Sequence, residues 1–263
     1  MLKKRILSVL LAMLLCFALA SCSAFASEQS NNENEAPQAT AGLAYELASD
    51  GESYICTGIG SASKTDIVIP ATYKGKPVTM IANGAFYNCV TLTSVTIQEG
   101  IQAIQDYAFR GCVRLETVNI PGSVFYVGAR AFEICTSLKT VTIANNSSEF
   151  EKPEEDIRMI GESAFKGCAA LTSLTLPEEI VLLSRRLLDG CSALQEITIP
   201  ARVEAIDEGA LAGCSALKTI HYEGTVEQWN KLPKGMVWDL EIENLSAESL
   251  VLVYSDFRVK QSR

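Results

Sequence analysis

Short stretches in which apolar and polar residues alternate recur along this chain at nearly constant spacing. In each stretch two apolar residues enclose one polar residue: Val95/Ile97, Val118/Ile120, Val141/Ile143, Leu174/Leu176, Ile197/Ile199 and Ile220/Tyr222. A period of two is typical of a β-strand that buries one face, so each stretch predicts a short strand. Three of these strands are ended by a proline, which has no N–H to donate to a ladder: Pro121, Pro177 and Pro200.

Two further apolar groups complete each repeat. One is a pair that follows the strand, as in Ile101 and Ile104, Val124 and Val127, Ile180 and Leu183, and Val203 and Ile206. The other is an Ala-Phe phrase ending in cysteine, and its aromatic position is occupied by Phe86, Phe109, Phe132, Phe165, Leu188 and Leu211. The cysteines at 89, 112, 135, 168, 191 and 214 are separated by 23, 23, 33, 23 and 23 residues. Such regularity indicates one supersecondary unit stacked on copies of itself, which is a solenoid.

These residues resemble the BspA-type (Treponema pallidum-type) leucine-rich repeat, whose pattern is C-x-x-L-x-x-V/I-x-I-P followed by A-F-x-x-C. The resemblance extends from about Asp66 to Trp229. It implies an α/β-type repeat solenoid that is right-handed and carries short parallel β-strands on its concave face. The convex face is then expected to consist mostly of irregular or short helical segments.

Both ends of the array depart from the repeat, as terminal repeats that shield a core must. Residues 42–65 predict a hairpin cap with its turn at Asp50-Gly51, and residues 66–221 hold the repeats. The earliest coil, at Ile67–Pro70, has five extra residues in the region of Tyr73 to Pro77. Residues 222–263 predict a C-terminal cap with Trp229 in the second apolar column and one more strand at Leu250–Tyr254.

The first forty residues have the pattern of a lipoprotein leader and tether. A basic start and a short apolar run end in Leu19-Ala20-Ser21-Cys22, which resembles the bacterial lipobox. Residues 1–21 are therefore predicted to be a signal peptide, and Cys22 the lipidated residue at the head of a polar tether, 22–41. The alternative is an ordinary signal peptide cut near Ala20 or Ala26. The first interpretation predicts a secreted protein anchored by lipid on the outer face of the bacterial envelope.

Charge and composition exclude several classes of function. Without Lys3, Lys4 and Arg5, 19 basic and 31 acidic residues remain, so the mature chain would carry a net charge of −12. Such a surface repels nucleic acid and anionic lipid headgroups, so we expect neither partner. His221 is the only histidine, and there is no phosphate-binding glycine loop. We therefore predict no enzyme activity, no cofactor and no metal site.

The cysteines allow two interpretations, disulfides or a buried apolar column. Seven thiols remain after Cys16 and Cys22, an odd number, and the repeat points successive Cβ atoms in one direction. A disulfide needs converging Cβ atoms about 3.8 Å apart. We interpret the six repeat cysteines as buried apolar residues.

The polar positions of the strands predict an exposed strip with two columns. One is Thr96, Asn119, Thr142, Thr175, Thr198 and His221; the other is Ser94, Thr117, Thr140, Ser173, Glu196 and Thr219. The strip is either a rigid array of hydrogen-bonding groups for an extended partner, or simply β-branched residues that suit an exposed strand. A polar insertion at 144–156, with Phe150 in it, is either a contact loop or neutral decoration.

The leading hypothesis for function is a monomeric, lipid-anchored module that binds a protein by shape. The resemblance implies adhesion to host matrix or to another surface protein. This expectation comes from the resemblance alone, because a fold does not fix a function. The alternative is a structural or envelope-organising lipoprotein that contacts cell-wall glycan or a neighbouring membrane protein. Capture of a small ligand for a transporter is a weaker hypothesis, because solenoids lack an enclosed apolar pocket.

Overall fold

The computed structural model describes residues 38–146 and 158–233, together with the backbone of residues 251–254 and 258–259. The described chain forms a β-solenoid of about seven turns with little helix. The predicted repeat solenoid is thereby confirmed. Its right-handed sense and the domain boundaries proposed above stay predictions.

The first ladder contains the strands that the alternation predicts. One part of it is a parallel sheet of β3 (Asp66–Ile69), β6 (Ser94–Ile97), β8 (Thr117–Ile120) and β10 (Thr140–Ile143). The other part contains β12 (Ser173–Thr175), β14 (Glu196–Ile199), β16 (Thr219–Tyr222), β17 (Val251–Tyr254) and the antiparallel β18 (Arg258–Val259). Equivalent residues stand opposite each other, as Val95 does opposite Val118, so the apolar pairs of successive coils face the same core.

A second ladder, which the sequence analysis did not predict, runs along another side of the coils, and the expected irregular or short helical convex face stays a prediction. One part of this ladder contains β5 (Lys76–Ile81) and the two-residue strands β7 (Ala103–Ile104), β9 (Tyr126–Val127) and β11 (Met159–Ile160). The other part contains β13 (Leu182–Leu183) and β15 (Ala205–Ile206). Each unit places one fully buried aliphatic residue here, such as Ile104 or Val127. The pairing is parallel, because every strand belongs to a successive turn of the same coil.

The third side of each coil consists of turns held together by backbone hydrogen bonds between coils. The amide of Phe109 donates to the carbonyl of Ala131 over 2.7 Å, and that of Phe132 donates to Ala164 over 2.8 Å. Each coil turns here through two residues with left-handed backbone, four positions apart, as at Gly84 and Asn88.

The core is a set of continuous columns. The rings of Phe86, Phe109, Phe132 and Phe165 stack with centroids 5.0, 5.1 and 5.4 Å apart and nearly parallel planes. Offset stacking at this distance is favourable beyond the area that the rings bury. The predicted aromatic column is therefore a packed spine, which fixes the distance between coils.

Different elements close the two ends. β1 (Ala44–Leu47) and β2 (Tyr54–Gly58) form an antiparallel hairpin that extends the second ladder, and β4 (Thr72–Tyr73) forms a tight hairpin with β5. The edge of β3 is covered by Thr40. The amide of Thr40 donates to the carbonyl of Val68 over 3.1 Å, and the hydroxyl of Thr40 accepts from the amide of Val68 over 2.8 Å.

The C-terminal end contains helix α1 (Val226–Lys231), which begins with a capping box between Thr225 and Gln228. Trp229 is buried, as its place in the second apolar column predicts, and it lies on this helix with its ring centroid 5.2 Å from that of Tyr222. The predicted last strand is present as β17, paired with β16. Within the described ranges, no helix is both long and apolar enough to cross a membrane.

Candidate binding surface

The predicted strip is formed by the outward residues of the first ladder; we call both of its columns together the hydroxyl strip. Backbone pairing places Thr96, Asn119 and Thr142 opposite one another on β6, β8 and β10. It does the same for Thr175, Thr198 and His221 on β12, β14 and β16. The six side chains of this column are exposed or half-buried, whereas the residues directly before and after each of them in the chain are buried.

The charges of the strip lie near its ends. In the first coil the Asp66 carboxylate accepts hydrogen bonds from the hydroxyls of Ser94 and Thr93, each 2.7 Å away. These bonds lower the pKa of Asp66, Ser94 contributing most. In the later coils Glu196 lies 3.8 Å from Nε2 of His221. The centre of the strip is uncharged, and offers hydroxyl and amide groups that both donate and accept.

The strip has one interruption. β10 and β12 lie side by side, but no backbone ladder joins these two described strands. The insertion enters at this point, and its ends are anchored: Arg158 donates to the carbonyls of Ala144 and, over 2.7 Å, Gly122. At the N-terminal end of the insertion, the amide of Asn146 donates to Oε1 of Glu179 over 2.7 Å. Phe150 and residues 147–157 lie outside the described residues, as does Cys22.

The repeat cysteines form a column of free thiols, and among the described residues none is in a disulfide. Five of the six are buried and Cys89 is half-buried. The Cys112 thiol donates to the carbonyl of Phe86 over 3.1 Å, and the same contact recurs at Cys135, Cys168, Cys191 and Cys214. Burial raises the pKa of Cys112 to about 12, so these thiols stay protonated and unreactive at neutral pH. The described residues contain no group of three or more His, Cys, Asp or Glu placed to hold a metal ion.

A second exposed surface, which the sequence analysis missed, lies at the turns of the first three coils. We call it the Tyr–Arg patch, and it contains Tyr87, Val90, Tyr107, Arg110, Arg130 and Ile134. The Arg110 guanidinium carbon lies 5.7 Å from the Tyr87 ring centroid and 5.8 Å from that of Tyr107, and that of Arg130 lies 5.7 Å from Tyr107. The sequence signal for it was present: Ile134 stands in a column whose other members are Asn88 and four glycines.

Comparison with known proteins settles the family. The family described as "BspA type Leucine rich repeat region" matches residues 60–153 and 149–249 of this chain, with six copies of the repeat. The chain belongs to the BspA-type leucine-rich repeat family. Proteins of this family are typically non-catalytic protein-interaction modules, and no enzyme family is indicated. No curated protein matches the chain in sequence.

Solved structures of bacterial leucine-rich repeat proteins share the fold. A leucine-rich repeat protein of T. pallidum is 22% identical with a TM-score of 0.58, and the alignment covers 81% of this chain and 97% of that one. One from Bacteroides ovatus is 24% identical with a TM-score of 0.52, covering 77% of this chain and 56% of the other. At this identity the likeness concerns the fold of the BspA-type solenoid alone.

Proposed function

We propose that this BspA-type protein is a lipid-anchored, non-catalytic module of the bacterial cell surface that binds an extended segment of another protein along the hydroxyl strip. The observation that carries the proposal is a pair of in-register triads of exposed hydrogen-bonding side chains, Thr96, Asn119 and Thr142 on one sheet and Thr175, Thr198 and His221 on the other. With neighbouring strands about 4.8 Å apart, six rungs extend about 24 Å. That length suits a partner segment of about seven extended residues.

The rigidity of the support favours binding. The spine of stacked phenylalanines lies inside the coils that carry the strip, and Phe132 and Phe165 remain stacked across the interruption between β10 and β12. A pre-organised surface loses little conformational entropy when it binds, so more of the contact energy appears as affinity. The uncharged centre of the strip avoids the cost of stripping water from charged groups.

The strip can be tested by charge insertion at its centre. The double substitution Thr142→Lys and Thr175→Lys places two long cations on exposed strand positions, and Thr136→Lys is the matched control at an exposed position on another side. Surface extracts are captured on each protein, and the partner recovered by the unsubstituted chain is quantified. We expect at least a tenfold loss in the double variant and no loss in the control. Equal recovery on all three proteins would refute the proposal for the strip.

The lipid anchor has a separate test. Metabolic labelling with a fatty acid should label the unsubstituted chain, and Cys22→Ser should abolish the label and release the protein into the medium. Two acyl chains bury enough methylene groups to hold a protein on a bilayer, at about 0.8 kcal/mol for each. A Cys22→Ser protein that stays cell-bound and labelled would show that Cys22 is not the lipidated residue. Sedimentation velocity of the released protein tests the expected monomer.

A further inference from the structure

The second ladder finishes, at its N-terminal end, with a strand that has no neighbour on its outer side among the described strands. In this sheet β1 is the terminal strand, and it pairs only with β2. At the other ends of the two ladders a neighbour is present. Thr40 lies on β3, β17 lies on β16, and the carbonyl of Pro233 accepts from the amide of Ile206 beside β15. An uncovered strand edge presents free backbone groups to which another chain can add a strand.

The hydrogen bonds of the hairpin show which backbone groups of β1 are free. The amide of Ala48 donates to the carbonyl of Ser53 over 2.9 Å, so these two residues are a hydrogen-bonded pair. In an antiparallel ladder, hydrogen-bonded and non-bonded pairs alternate along the strand, so Glu46 is the next residue whose backbone bonds β2. The N–H and C=O groups of Tyr45 and Leu47 point the other way. Within the described residues, no hydrogen bond outside the hairpin engages them.

The side chains of β1 make this edge suitable for a partner strand. Leu47 is 52% exposed, the highest value among the four large hydrophobic residues that are exposed in the described ranges. Tyr45 lies on the same face of the strand, since residues two apart share a face, and its ring stacks on that of Tyr73 with centroids 4.1 Å apart. A strand added beside β1 can therefore extend this cluster over Leu47. Edge strands that avoid pairing often carry lysine or proline, and β1 has neither.

Glu46 determines which kind of strand fits. Its side chain is exposed and points to the face opposite the cluster. It forms no ion pair with a described residue, and Lys76 of the same cap lies 3.9 Å from Glu52 and donates to the carbonyl of Gly51. Opposite charges directly across a strand pair stabilise the pair, whereas like charges destabilise it. A partner strand with a lysine or arginine beside Glu46 is therefore favoured.

A second copy of this chain is a poor occupant for the same reason. Two β1 strands related by a two-fold axis use all the free groups when Tyr45 of each copy pairs with Leu47 of the other. That register sets the two Glu46 side chains directly opposite each other, with their Cβ atoms about 5 Å apart. The edge therefore favours a strand of another protein, in agreement with the monomer that we propose.

We infer that the outer edge of β1 is a strand-addition site, and that its partner is an extended segment of another protein in which basic residues alternate with apolar residues. Tyr45 and Leu47 exchange backbone hydrogen bonds with this segment, its apolar side chains cover Leu47, and its lysine or arginine pairs with Glu46. The inference does not depend on the hydroxyl strip, because the strip lies on the first ladder and β1 extends the second.

The test compares two capped ten-residue peptides at 0.15 M salt, one that alternates valine with lysine and one that alternates valine with glutamate. The full chain should bind the lysine peptide at least fivefold more tightly. Glu46→Lys should reduce this preference at least fivefold, whereas Glu223→Lys, the matched control, should keep it within twofold of the unsubstituted chain. Both substitutions reverse one exposed glutamate and change the net charge equally, but Glu223 lies at the other end of the array.

The backbone contact has its own measurement. The amides of Tyr45 and Leu47 should become protected from hydrogen exchange, measured by NMR, when the lysine peptide binds. Leu47→Pro should weaken binding of this peptide at least tenfold, because it removes an N–H that faces the partner and none that bonds β2, and edge strands tolerate proline.

Three results would overturn the inference. The first is no binding of the lysine peptide at 1 mM, and the second is a preference that Glu46→Lys leaves unchanged. The third is a complex in which the amides of Tyr45 and Leu47 stay unprotected, because the peptide would then lie elsewhere. Self-association that Leu47→Pro abolishes would also count against it, since the occupant of the edge would be a second copy of the chain.

Discussion

At the residue scale, the six repeat cysteines show how one side chain can serve every coil. Each thiol from Cys112 onward donates to the carbonyl of the aromatic or leucine position one coil earlier, at 3.1 to 3.4 Å. Cysteine is small enough for this crowded corner, and it supplies a weak donor for a carbonyl that burial takes away from water. The column is therefore structural, which accounts for six of the seven free cysteines in the described part of the chain; the seventh is Cys56 on β2.

The buried thiols predict a loss of stability at alkaline pH. Burial raises the pKa of Cys56 and Cys112 to about 12 and those of Cys135 and Cys168 well above the ordinary value of 9.0. A group whose pKa is raised by folding contributes its full stability below the unfolded pKa and loses it as pH rises above that value. Each buried thiol should therefore cost about 1.4 kcal/mol of unfolding free energy per pH unit above pH 9.

Urea unfolding between pH 7 and 10.5 measures this effect. The free energy of unfolding should be nearly constant up to pH 8.5 and then fall steeply. Cys135→Ala should unfold more easily at pH 7, since it removes a buried sulfur. Above pH 9, however, its free energy of unfolding should fall less steeply with pH, by the contribution of one thiol, about 1.4 kcal/mol per pH unit. A stability that stays flat through pH 10, or an identical slope in the variant, would show that the column does not hold protonated thiols.

At the scale of elements, the strands of the first ladder were predictable and those of the second were not. In a strand such as β8, apolar and polar residues alternate in the sequence, because one face of the strand packs on the core and the other is exposed to water. The two-residue strands, such as Ala103–Ile104, are too short to leave a period, so a pair of apolar residues could equally belong to a turn or a helix. Trp229 was correctly predicted to be buried, but its spacing did not predict its helix, which begins at the capping box of Thr225 and Gln228.

The candidate surfaces were predictable to different degrees for the same reason. The hydroxyl strip repeats in every coil, so its members could be named from spacing alone. The Tyr–Arg patch occurs in three coils only, and Tyr87, Arg110 and Glu133 occupy a column whose residue type changes at each step. Its contacts depend on which side chains come next to each other when coils stack. Ile134 has a left-handed backbone, with φ of 62°, and only the exception to a glycine column hints at it.

The interruption between β10 and β12 predicts a local weak point in the solenoid. No backbone ladder joins these described strands, and the coils on either side are held by the turns of the third side and by the Phe132–Phe165 stack. Amides without a ladder partner exchange with solvent through smaller openings than those inside a sheet. Hydrogen–deuterium exchange should therefore be faster in β10 and β12 than in β8 and β14. Uniform protection across the four strands would contradict this prediction.

At the scale of the whole molecule, the caps decide whether the solenoid stays in solution. A repeat array exposes an apolar cross-section and a row of unpaired backbone groups at each end, and such edges pair with other chains. Here β17 covers the edge of β16, Trp229 packs on Tyr222, and the carbonyl of Pro233 accepts from the amide of Ile206 where the second ladder would continue. The C-terminal cap thus covers both ladders at once, although its sequence does not follow the repeat.

Removal of this cap should convert the monomer that we propose into aggregates. A chain that ends at Tyr222 leaves β15 and β16 as open edges and exposes the aromatic ring that Trp229 covers. We expect sedimentation velocity at micromolar concentration to show large, polydisperse species, and thermal unfolding to begin at a lower temperature. A chain that lacks residues 1–37 is the matched control, because it keeps Thr40 on β3 and the hairpin of β1 and β2 at the other end. If the chain that ends at Tyr222 sediments as a monomer and melts like this control, the edges at the C-terminal end are protected by the repeats themselves, and the cap has another role.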